Sequence, residues 1–123
     1  MKKWIAICLL ASLLLVSLSA QAAAYFRYGT YIGVDDIDND MFLRPYDEDG
    51  LYELEICLGD SGRDIYGTAV QSGSALTIKA DFSGSQPRYI GTIETVGQNE
   101  YRVTLVDSRL NRREIFLFAW VAD

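Results

Sequence analysis

The sequence predicts an all-β fold, a small antiparallel meander closed into a barrel of about eight strands, with a two-layer β-sandwich as the alternative. Three observations predict it. Short runs rich in Val, Ile, Thr and Tyr recur at close, even spacing between turn residues. Several of them alternate apolar and polar residues with period two, the mark of a half-buried strand. No segment after residue 24 carries a helical period of useful length.

The runs follow in order. Tyr25–Gly33 leads into the acidic connection Val34–Asn39, and Asp40–Tyr46 leads into the turn residues Asp47–Gly50. Leu51–Leu58 alternates cleanly, with Tyr52, Leu54, Ile56 and Leu58 on one face and Glu53, Glu55 and Cys57 on the other. Asp64–Gln71 follows the connection Gly59–Arg63 and precedes the tight turn Ser72–Ser74. In Ala75–Phe82, Leu76, Ile78, Ala80 and Phe82 oppose Thr77, Lys79 and Asp81. Arg88–Val96 lies between the connection Ser83–Pro87 and the tight turn Gly97–Asn99. In Tyr101–Asp107, Tyr101, Val103 and Leu105 oppose Arg102 and Thr104, and the connection Ser108–Arg112 follows. The last run, Arg113–Val121, is apolar on both faces: Ile115, Leu117, Ala119 and Val121 on one, Phe116, Phe118 and Trp120 on the other. Such a strand is covered on both sides. A loop or the N-terminal segment could supply the cover, and a homodimer contact through Phe116, Phe118 and Trp120 is the functional alternative.

Residues 1–24 read as a cleaved signal peptide. Lys2 and Lys3 start it, Trp4 to Leu18 is almost unbroken apolar sequence, and Ala20-Gln21-Ala22 and Ala22-Ala23-Ala24 offer small-x-small cleavage patterns. Cys8 lies inside the apolar run and is not placed for lipid attachment. The expected location is the periplasm or the medium, with one β-barrel domain over residues 25–123 and no membrane insertion after cleavage. Removing 24 residues from 123 leaves 99, a length for one domain.

Without Lys2 and Lys3, nine basic residues face 17 acidic ones, a net charge of −8. That balance repels nucleic acid and anionic lipid. The chain has no histidine, which removes Ser-His and Cys-His catalysis and His-ligated zinc. Cys57 is the only cysteine after cleavage, so no internal disulfide forms; a disulfide-linked homodimer through it is the alternative to a free thiol.

Three motifs bear on chemistry. Asp36-x-Asp38-x-Asp40 matches the opening of a calcium loop, but Met41 stands where the EF-hand requires Gly and Asp47 where it requires Glu. Asp36, Asp38 and Asp40 therefore remain weak metal candidates, and no metal or other cofactor is expected. Ser61 lies among charges with no base to activate it. Glu53 and Glu55 share an outward strand face rather than a cleft, so carboxylate-only catalysis is not expected. The segment Ser61-Gly62-Arg63-Asp64-Ile65-Tyr66 resembles the Ser-Gly-x-x-Tyr loop of the bacterial periplasmic inhibitors of c-type lysozyme, which are also small exported barrels. It is one residue longer, and that family's second motif and cysteine pair have no counterpart here. The resemblance implies a protein-inhibitor role carried by Ser61 and Tyr66.

In an up-and-down meander the connections alternate between two ends. One end holds the three tight turns. The other holds Val34–Asn39, Gly59–Arg63, Ser83–Pro87 and Ser108–Arg112, where binding residues concentrate on a rigid scaffold. It is also polarised, with Asp35, Asp36, Asp38 and Asp40 in one connection and Arg109, Arg112 and Arg113 near another. The expected function is non-enzymatic binding of a protein partner through this end, by those residues with Asp60, Ser61, Arg63 and Tyr66. A small-ligand or cell-envelope polymer binding module is the alternative.

Overall fold

Eight strands form in chain order: β1 Gly29–Gly33, β2 Asp40–Pro45, β3 Leu51–Leu58, β4 Arg63–Ser72, β5 Ala75–Ser83, β6 Gln86–Gly97, β7 Glu100–Asp107 and β8 Arg112–Ala122. The computed structural model describes residues 26–122, and the signal-peptide reading of residues 1–24 lies outside them. Each strand pairs antiparallel with the next, and β1 pairs with β8 to close the barrel. The meander is thus the barrel of the two architectures expected.

Alternation sets the facing. In β3, Tyr52, Leu54, Ile56 and Leu58 are buried, while Glu53 is exposed and Glu55 and Cys57 are half-buried on the outer wall. Cys57 is therefore on the side the period predicts, free and opposite Asp40 and Asp64. The inward residues fill the barrel. Tyr31, Met41, Ile78, Ile93, Val103 and Phe118 are fully buried, and the Tyr31 and Tyr101 rings meet edge-on with centroids 5.2 Å apart. Eight strands enclose a space that side chains of this size occupy completely.

The strands are staggered. One row of cross-strand partners runs Gly29, Leu43, Leu54, Gly67, Ala80, Tyr89, Asp107, Arg112. It starts at the first residue of β1 and reaches the first residue of β8, although those residues lie toward opposite ends. Gly33, four residues beyond Gly29, pairs with Phe118, six residues beyond Arg112, so closure carries a stagger of ten residues. Such a stagger tilts the strands against the barrel axis. At Gly91 neighbouring strands come so close that a Cβ would sit 1.9 Å from the Thr104 carbonyl oxygen.

Two expectations about connections are corrected. The connection between β5 and β6 is only residues 84–85, because Gly84 at φ 66° supports a tight turn and the ladder continues through Ser83 and Gln86. The connection after β2 covers residues 46–50, longer than expected, because pairing stops at Pro45. Closure decides the facing of β8. Phe118 is buried in the core and Phe116 and Trp120 pack against it, while Ile115 and Val121 are exposed outside. The aromatic face is thus the inner one, with Phe118 of the Phe116, Phe118 and Trp120 set fully enclosed. The N-terminal segment covers part of it. The Trp120 indole N–H donates to the Tyr28 carbonyl at 3.0 Å, and the Arg27 guanidinium lies 4.6 Å over the Trp120 ring.

Candidate functional site

Loops 34–39, 59–62 and 108–111 share one end of the barrel, because β1 and β8 are antiparallel neighbours. The first two lean on each other. Gly59 N–H donates to Asn39 Oδ1 at 3.2 Å, and a Cβ at Gly59 would sit 2.6 Å from the Asp38 carbonyl oxygen. Asn39, nearly buried, thus ties the acidic loop to the β3–β4 connection.

This contact gathers Asp36, Asp38 and Asp60, whose carboxylate oxygens all lie within 4.8 Å of one another. Asp40 is not among them. It lies on β2, on the outer wall opposite Cys57, because the strand begins at that residue. Of the weak metal candidates read from spacing, Asp36 and Asp38 lie in this group and Asp40 does not, and the third carboxylate, Asp60, comes from a second loop. The Asp60 carboxyl is pushed above its ordinary value, first by its hydrogen bond with Asp36 and then by the charges of Asp36 and Asp38. Exposed carboxylates cluster in this way without an ion as well.

Arg63 is engaged within the chain itself. Its side chain points into the barrel mouth. Nη1 and Nη2 donate to Glu114 Oε1 and Oε2 at 3.1 and 2.7 Å, Nη1 also donates to the Tyr89 hydroxyl at 3.1 Å, and Nε donates to Ser61 Oγ at 3.1 Å. A bidentate guanidinium–carboxylate pair is a strong, oriented contact. Ser61 stays exposed in its loop, and Tyr66 is exposed on the outer wall, where it hydrogen-bonds Glu55.

Asp107 builds the third loop. Its side chain is 1% exposed. It accepts from Arg88 Nη2 at 3.0 Å and from the backbone N–H groups of Arg109 and Leu110 at 2.9 and 3.2 Å. The hydrogen bond from Arg88 is the main reason its carboxyl is held below the ordinary value of 3.8; burial opposes the shift and the two amides reinforce it. Arg109, Arg112 and Arg113 are exposed and form no ion pair among the described residues, as is true of Asp35.

Sequence reasoning missed the apolar members of this end. Ile37 is 77% exposed and Leu110 is 60% exposed, each the central aliphatic residue of a polar loop. An isolated Ile in Asp35-Asp36-Ile37-Asp38, or Leu in Arg109-Leu110-Asn111, is the signal that could have found them. Glu114, Tyr89 and Asp107 were missed because their partners are remote in sequence.

Clefts of about 270 to 380 Å³ lie on the outer wall and around the opposite end, one of them lined by Tyr28, Thr30, Phe42 and Pro45. No protein-family model, no curated protein and no solved structure matches the chain.

Proposed function

We propose that this protein is an exported, non-enzymatic β-barrel that binds a protein partner through the end bearing loops 34–39, 59–62 and 108–111. One observation carries the reading. Ile37 and Leu110 stand exposed on loops that are themselves held by hydrogen bonds, framed by acidic residues on one side and, on the other, by arginines that form no ion pair among the described residues. Apolar anchors inside a charged frame suit a protein-docking surface. The filled interior supports the same reading, since it leaves recognition to the outside. The order of residues 1–24 supports export. Charged residues on the outer wall, among them Arg44, Glu53, Lys79 and Arg102, support a barrel that stays in water. The lack of histidine supports a role without acid–base chemistry. Small-ligand binding, the alternative, would use an outer cleft such as the one lined by Tyr28, Thr30, Phe42 and Pro45.

Photo-crosslinking tests the proposal. A benzophenone amino acid replaces Ile37 in one variant and Lys79, on the outer wall, in another. Envelope extract should give a defined protein adduct from position 37 and none from position 79. Equal labelling from both positions, or none from position 37, overturns the reading.

A further inference from the structure

The barrel is closed by β1, but β1 is shorter than the strand it closes against. It pairs with β8 only from Phe118 onward, and Val34 N–H adds one more hydrogen bond to the Leu117 carbonyl at 2.9 Å. Residues 112–116 of β8 run on beyond that point, paired to β7 on one side and to no described strand on the other. Loop 34–39 does not fill the gap. It leans away, toward Gly59 and Asp60.

Antiparallel pairing fixes which backbone groups face the gap. The Leu117 carbonyl points to the β1 side, and residues two apart on a strand point the same way. The N–H and C=O of Ile115 and Arg113 therefore form a free strand edge. Beside it, Ile115 is 57% exposed, and Arg112 and Arg113 are exposed with no ion pair among the described residues. This is a basic edge on an acidic protein.

The geometry points to strand addition at this edge: an extended, acidic segment of the partner protein pairs with β8 at Arg113 and Ile115. The inference rests on the protein-partner reading and names the chemistry of that partner. Main-chain hydrogen bonds supply affinity and alternate side chains supply choice. On the outer face an acidic side chain of the added strand meets Arg113 and an apolar one two residues away covers Ile115, while Arg112 faces the barrel mouth beside them. One feature argues against a second copy of this chain as occupant. Two β8 edges paired over Arg113 and Ile115 would gather four arginines, Arg112 and Arg113 of each copy, in one short ladder with no acidic side chain brought to meet them.

The test uses a defined probe, an eight-residue peptide of Glu-Glu-Val-Val repeated twice and blocked at both ends, which sets Glu and Val two apart on each face, and the same peptide with Lys for Glu. In the unliganded protein the Arg113 and Ile115 amides should exchange quickly with solvent. The Glu peptide should protect them and the Lys peptide should not. Ile115→Pro removes one edge N–H while sparing the β7 side, a substitution that edge strands tolerate. It should weaken Glu-peptide binding about tenfold or more with the fold intact by circular dichroism. Arg112→Glu with Arg113→Glu should weaken it to a similar degree at low salt. Amides already protected in the monomer, equal binding by Ile115→Pro, or a concentration-dependent dimer that Ile115→Pro abolishes would each overturn the inference. If the Glu peptide fails while position 37 still crosslinks a protein, the loop-end reading stands and strand addition falls. If position 37 also fails, both fall.

Discussion

Arg63 and Glu114, 51 residues apart in sequence, are joined by two parallel hydrogen bonds across the mouth of the barrel. The pair links β4 to β8, and the Arg63–Tyr89 bond adds β6. Both side chains are only partly exposed, at 33% and 17%, so water replaces the lost partner poorly if one is removed. Glu114→Ala should lower stability by about 1–3 kcal/mol, read from urea unfolding. Replacing both residues with apolar ones of similar size should recover part of that loss. An unchanged midpoint for Glu114→Ala would show that the pair holds nothing together.

The loop held by Asp107 should be sensitive to acid. The folded-state carboxyl is held below its ordinary value of 3.8, mainly by Arg88. Its stabilisation is therefore fully present above about pH 4 and is lost as pH falls through the lower folded value. On acidification the Arg109 and Leu110 amides should lose their protection together, and Asp107→Asn should remove that pH dependence. The same loss of protection on acidification in Asp107→Asn as in the unaltered protein counts against the carboxylate as the cap.

Cys57 should be a sluggish thiol. Burial first, and then its hydrogen bond with Asp64, push it from 9.0 up to about 11. At neutral pH it then carries about a hundredfold less thiolate than an ordinary cysteine. Maleimide labelling should be slow, should rise as pH approaches 11, and should speed up in Asp64→Asn. The same suppression disfavours a Cys57-linked dimer, so the purified protein should stay monomeric on a non-reducing gel. Fast labelling at pH 7, or a disulfide-linked band, contradicts this account.

The charge frame should act on association. Reversing Arg109, Arg112 and Arg113 to Glu should slow capture of the crosslinked partner about tenfold or more at low salt, and the loss should shrink at high salt. Dissociation should change less. The fold should survive, since exposed charges contribute little to stability. An association rate unaffected by this reversal and by reversal of Asp35, Asp36 and Asp38 would remove charge from the recognition mechanism.

The glycine at position 91 is a sharper structural test. A Cβ there would lie 1.9 Å from the Thr104 carbonyl oxygen, a backbone atom that cannot swing aside. Gly91→Ala should cost about 1–3 kcal/mol of stability, whereas Ser74→Ala, in an exposed turn, should cost little. Equal midpoints for the two variants would mean that β6 and β7 can separate freely.

Local pattern was enough for the number, order and type of the strands, because period two is written into each run and needs no knowledge of its neighbours. It was also enough for the facing of Cys57, which follows from Leu54 and Ile56 on the same strand. Alternation was silent in β8, where both faces are apolar, and only closure of the barrel decided that Phe118 lies inside and Ile115 outside. Charge spacing placed acidic and basic loops at one end, but it could not tell a free arginine from a spent one. Arg63 is engaged because the ten-residue stagger brings the start of β4 opposite Glu114, while Arg112 and Arg113 remain unpaired at the overhanging start of β8. The same stagger separates Asp40 from Asp36 and Asp38 and brings Asp60 to them. Sequence period is a property of one strand, and register is a relation among all eight. The strand edges and loops that meet at this end are therefore decided only when the sheet closes.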